Sequence, residues 1–123
     1  MIRKKIAVLL PYKDHFINSN AGSASIWVKD FNKKSLYKNQ ITIFGNTPFT
    51  KDLIDKKRYQ NLTLDNINIS GKNVSYVKKV INHNTKNKFD LVEIHNRPAY
   101  VKQILNHNPK TKMVLIFHNN MHL

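Results

Sequence analysis

The chain predicts an α/β fold: a Rossmann-like parallel sheet of about five strands with helices on both faces. Two observations carry this. Ile6-Ala7-Val8-Leu9-Leu10 and Met113-Val114-Leu115-Ile116-Phe117 are unbroken apolar runs without alternation, as in strands buried on both faces of a parallel sheet. Between them lie segments whose apolar residues recur at spacings of three and four. Strand and helix patterns that alternate in this way imply one parallel sheet with right-handed crossovers.

Taken in order, Pro11 ends the first strand and residues 12–22 form a polar loop rich in turn formers. Ser23 caps a helix whose stripe is Ala24, Trp27, Val28 and Phe31, ending near residues 33–36. Ile41-Thr42-Ile43-Phe44 is the second strand, closed by Gly45. A short helical turn is expected around residues 52–56. The third strand is either residues 59–64 or residues 67–69. Val74, Val77, Val80 and Ile81 mark a helix over residues 73–83. Leu91-Val92-Glu93-Ile94 is the fourth strand, and Pro98 opens a third helix striped by Tyr100, Val101, Ile104 and Leu105. Asn106-His107-Asn108-Pro109 stops it before the final strand.

Composition narrows the function classes. The 123 residues make one domain or part of one, with 41% hydrophobic residues to build a core. No apolar run approaches the roughly 20 residues of a membrane-spanning helix. The run at Ile6 is shorter than the roughly 7–15-residue apolar region of a signal peptide and lacks a small-residue cleavage site, so a cytoplasmic protein is expected. The absence of Cys excludes disulfides, thiolate nucleophiles and thiolate zinc sites. The net charge of +14 suggests a polyanion partner, but the lysines are scattered from Lys4 to Lys112 and Asn and Ile are abundant too. That pattern fits a solvated Lys-rich surface better than a nucleic-acid site. Attraction to an anionic membrane surface lies between the two.

The chemistry gathers at strand ends. Gly22-Ser23 opens the first helix, His95-Asn96-Arg97 follows the fourth strand, and His118-Asn119-Asn120 follows the fifth. In a doubly wound sheet the first and fourth strands meet at the topological switch point, so the three clusters would share one crevice. Gly22 either permits a tight turn or lets a phosphate approach the helix start. His95 and His118 are either structural hydrogen-bonding residues or members of a site. Metal binding by His118, His122 and His95 would need a further ligand, and none is expected. His15, His83 and His107 read as surface residues. Arg97 either binds an anionic group or pairs with Glu93 or Asp90. Glu93 must find a partner or a solvated crevice, because an unpaired buried carboxylate is costly. The fingerprints of dinucleotide and nucleoside-triphosphate sites are absent.

On the segments Ile6-Ala7-Val8-Leu9-Leu10 with the Gly22 loop, Ile41-Thr42-Ile43-Phe44-Gly45, Asp90-Leu91-Val92-Glu93-Ile94-His95-Asn96-Arg97-Pro98 and Leu115-Ile116-Phe117-His118-Asn119, the chain resembles the N-terminal domain of family 4 glycosyltransferases of the GT-B fold. The similarity is to bacterial members that build cell-surface polysaccharide and lipopolysaccharide. It spans nearly the whole chain and is most specific over residues 93–98. It implies retaining transfer of a sugar from a nucleotide-sugar donor to a cell-surface glycan or lipid-linked acceptor, without metal or other cofactor. It places Gly22 and Ser23 by the donor phosphates, His118 as the catalytic residue by the donor sugar, and His95, Asn96, Arg97 and Asn119 on the acceptor side. Many members carry two adjacent glycines where this chain has Ala21-Gly22. The second, nucleotide-binding domain of such enzymes is not among these residues, so a fragment, a truncated gene product or half of a split enzyme, inactive by itself, is expected, and peripheral contact at the inner face of the cytoplasmic membrane is compatible with it.

Two other classes compete. A small basic α/β binding module for nucleic acid or an anionic membrane surface would bind with steep salt dependence. A flavodoxin-like or response-regulator-like module would want an acidic cluster after the first strand, where only Asp14 occurs.

Overall fold

A computed structural model describes residues 4–48, 51–64 and 71–118. In chain order the elements are β1 (Ile6–Leu9), α1 (Ser23–Lys34), a one-turn 3-10 helix (Lys38–Gln40), β2 (Ile41–Gly45), β3 (Tyr59–Asn61), α2 (Lys72–Asn87), β4 (Leu91–His95), α3 (Pro98–His107) and β5 (Met113–Ile116). The strands form one sheet in the order β3-β2-β1-β4-β5, and every pairing is parallel. The α/β, Rossmann-like prediction therefore holds. The chain winds outward from β1 to β3, then returns across β1 to lay down β4 and β5. The switch point lies between β1 and β4.

Side chains alternate across the sheet, as the pleat requires. Ala7, Leu9, Val92 and Ile94 pack against α2 and α3 through Tyr76, Val77, Val80, Tyr100 and Ile104. Val8, Ile41 and Ile43 pack against α1 through Ala24 and Val28. Two helices thus cover one face. On the other, α1 stands alone, and Val114 of β5 remains 44% exposed.

Four expectations change. β3 is Tyr59–Asn61, the first of the two candidates; residues 67–69 lie outside the described residues. The helical turn expected around residues 52–56 is shifted: a single turn closes over residues 55–59, where the Tyr59 N–H donates to the Asp55 carbonyl. Leu53 instead makes an antiparallel bridge with Ile17, so the loop after β1 is pinned rather than purely polar. Phe16 and Ile17 of that loop are buried, and burying a side chain of that size stabilises by about 1.5–3 kcal/mol. α2 runs to Asn87 because its last turns are polar but still helical. Lys88 stops it at φ 50°, and the Asn84 side chain accepts from the Phe89 N–H at 2.8 Å. On α1 the buried arc is Ala24, Ser25, Val28 and Asn32, whereas Phe31 is half-exposed and stacks on Trp27 at 4.9 Å.

Candidate functional site

Alternation along β4 explains the polar residues in an otherwise apolar strand. Glu93 and His95 are two apart, so they share the face that looks toward α1. His95 Nε2–H donates to Glu93 Oε2 at 2.8 Å. His95 pairs with Ile116 across the β4–β5 ladder, so His118, two residues farther along, reaches the same place. His95 Nδ1 and His118 Nε2 are 2.6 Å apart, with ring centroids 4.8 Å apart and planes within 3°. Trp27 of α1 lies against both rings, at 5.3 Å from His95 and 5.6 Å from His118.

Asn96 locks the arrangement. It adopts φ 58°, a left-handed conformation that Asn tolerates better than most residues. Its N–H donates to the Ile116 carbonyl and its Oδ1 accepts from the His118 N–H at 2.7 Å. One residue thereby ties the ends of β4 and β5 together and orients His118.

At the start of α1 the capping group comes from elsewhere in the chain. Lys13, at φ 72°, turns the loop so that Asp14 faces the helix. The Asp14 carboxylate accepts from the N–H groups of Ala24 and Ser25 and, at 2.6 Å, from the Ser25 hydroxyl. A carboxylate at a helix N-terminus is favoured both by the free N–H groups and by the helix dipole. Gly22 is what makes room for it: a Cβ there would lie 2.5 Å from Asp14 Oδ1. Of the two readings of Gly22, close approach is the physical one, and the anion that approaches belongs to the chain.

The other sequence-selected residues divide by exposure. His95 is fully buried, so it cannot line an acceptor wall; its Nδ1 faces His118. Arg97 and Ser23 are exposed. Arg97 pairs with neither Glu93 nor Asp90: its guanidinium donates to the Asn96 carbonyl, while Asp90 accepts from the Lys5 N–H. Asn119, Asn120 and His122 lie outside the described residues. Among the histidines read as surface residues, His83 is half-buried against Phe44 at 5.3 Å, His15 is half-buried, and His107 is exposed. Sequence reasoning missed Asp14 as a helix cap and Trp27 as the wall of the histidine pair. Trp27's place in an apolar stripe hid the second, and no local spacing signals the first.

Burial and the neighbouring His95 ring push the His118 imidazole below the ordinary histidine value, while Asp14 and Glu93 pull it the other way. A groove of about 1000 Å³ runs along the α1 face, lined by Trp27, Phe31, Leu91 and Glu93 and reaching Lys4, Asp90 and Lys112 at the amino ends of the strands; neither His95 nor His118 lines it. The Glu93 side chain is 15% exposed and bonded to His95, which answers how a carboxylate survives in this strand. Among the described residues no group of three His, Asp or Glu is arranged to hold a metal ion, and no helix is long and apolar enough to cross a membrane.

Fold and site together define a Rossmann-like α/β chain with a Glu93–His95–His118 cluster at the carboxyl edge of its sheet. No protein-family model, curated protein or solved structure matches it.

Proposed function

We propose that the chain is the acceptor-side Rossmann-like domain of a retaining glycosyltransferase of the GT-B type, moving a hexosyl group from a nucleotide-sugar to a cell-surface glycan or lipid-linked acceptor. The observation that carries the reading is the convergence of the α1 start, His118 and the Asn96–Arg97 corner at the carboxyl edge of β1, β4 and β5. Ligands of open α/β sheets bind at that edge. The resemblance over residues 93–98 supplies the chemistry.

In this reading His118 contacts a donor-sugar hydroxyl, and Asn96, Arg97 and Asn119 face the acceptor. The Ala24 and Ser25 amides are already held by Asp14, so phosphate contact at α1 falls to the backbone of Gly22 and Ser23. Stabilising the departing diphosphate is the larger catalytic term and belongs to a nucleotide-binding domain acting with this one. The Lys-rich surface adds peripheral attraction to an anionic membrane, about 1 kcal/mol per nearby basic residue.

Saturation-transfer NMR tests the reading. The whole chain is mixed with a lipopolysaccharide-core oligosaccharide and, separately, with UDP-glucose. Sugar protons should saturate, and the signal should fall in His118→Ala. No transfer to either sugar, together with duplex-DNA binding that collapses with added salt, would replace this reading with the nucleic-acid one.

A further inference from the structure

Two hydrogen bonds determine where the protons sit on the histidine pair. A carboxylate can only accept, so the nitrogen facing Glu93, His95 Nε2, carries hydrogen. In a neutral ring the other nitrogen, Nδ1, is then an acceptor. The atom 2.6 Å from it, His118 Nε2, must therefore be the donor. That leaves His118 Nδ1 as a lone pair with no partner among the described residues. His95 is fully buried, so its imidazole is not free to turn over, and Trp27 flanks both rings.

We propose that Glu93 and His95 are positioning residues that hold His118 in its Nε2–H tautomer, so that the partly exposed His118 presents Nδ1 at the carboxyl edge of the sheet as a hydrogen-bond acceptor selective for hydroxyl-bearing, uncharged ligand groups such as those of a sugar. The ligand class rests on the function proposed above; the proton placement does not. Hydroxyls donate to a lone pair, whereas phosphate and carboxylate oxygens cannot, so the relay discriminates against anions at this one point although the surface as a whole is basic. The charged and titratable groups facing His118 are His95 and Glu93 from β4 and Asp14 from the β1–α1 loop. The lowered proton affinity of His118 keeps the acceptor form populated near neutral pH. When the pair does take up a proton in acid, the Nδ1 acceptor is lost.

Long-range proton–nitrogen NMR on the full chain distinguishes the two tautomers of each ring. At pH 8, His118 should read as Nε2–H and His95 as Nε2–H. Finding His118 as Nδ1–H overturns the proposal. Glu93→Gln keeps an acceptor oxygen for His95 but removes the charge, so the tautomers should persist while the His118 titration, followed through emission of Trp27, the chain's single Trp, moves to lower pH. Glu93→Leu removes the acceptor and should give a mixed His118 tautomer. Should the Leu variant fail to fold, the Gln titration decides, and no shift there sinks the relay. Saturation transfer from methyl glucoside separates the two proposals. A relay confirmed by its tautomers with no glycoside binding overturns the sugar ligand alone. A bound glycoside with the wrong tautomer overturns the relay alone.

Discussion

Two polar plugs sit at the carboxyl edge of the same sheet. Between β1 and β2, the buried hydroxyl of Tyr76 donates to the Leu10 carbonyl at 2.7 Å and is shared with the Phe44 carbonyl at 3.0 Å. Between β4 and β5, the Glu93–His95–His118 chain and Asn96 fill the equivalent role. The first is closed off under α2, and burial drives the Tyr76 phenol well above its ordinary pKa, so it is neutral at any physiological pH. The second ends in the partly exposed imidazole of His118, a titratable group whose proton affinity burial and the His95 ring lower. The same backbone problem, loose carbonyls and amides where strands end, is answered once with an inert group and once with a titratable one. What separates structure from chemistry here is access: α2 closes one plug, while α1 leaves the other open on one side.

The comparison can be broken at four points, beginning with the largest effect. Tyr76→Phe removes the partner of the Leu10 carbonyl in a site that water does not reach, so unfolding stability in urea should drop by about 2–3 kcal/mol. The pH dependence of Trp27 emission should be unchanged, since the two plugs are separate. A variant as stable as the wild type would show that Tyr76 only fills space. Next, Gly22→Ala drives a methyl into the Asp14 carboxylate and should cost about 1–2 kcal/mol, as overpacking does. Asp14→Ala loses a helix cap worth about 1 kcal/mol. The double variant should cost less than the two single changes summed, because the clash disappears with the carboxylate. Strict additivity in thermal or urea unfolding would mean that Gly22 and Asp14 do not meet.

The smallest effect concerns pH. The folded-state pKa of His118 lies below its unfolded value of about 6.5. The unfolded chain therefore binds more protons between those two values, and stability rises with pH across that window. Above pH of about 6.5 the ring is neutral in both states and the contribution is flat. Acidifying from pH 8 to pH 5.5 should lower the urea midpoint, and His118→Gln should remove part of that drop. An identical drop in both chains would place the titration elsewhere.

Much of the scaffold was legible because it rests on local patterns. Apolar runs without alternation marked β1 and β5, three-four spacing marked the helices, and Pro98 marked the first residue of α3. The third strand was not, since Tyr59–Asn61 is short, half-exposed and chemically ordinary. Its place depends on Gly45, where an added Cβ would lie 2.6 Å from the Tyr59 hydroxyl. The site was half legible. That His95 and His118 belong together followed from both ending core strands. That His95 is buried and speaks through His118 did not, because it depends on the β4–β5 register and on which face α1 covers.

By itself the sequence determined the element order, the parallel sheet and the strand ends that carry polar groups, since these follow from side-chain periodicity and from the backbone limits of proline and glycine. Only the tertiary structure decided who partners whom. Asp14 caps a helix that begins nine residues later, Trp27 backs a pair of rings from two other strands, and Tyr76 ties off two strands from the opposite face. Such contacts join residues distant along the chain. No local preference encodes them, and they exist only once burial of the two cores has fixed register and facing.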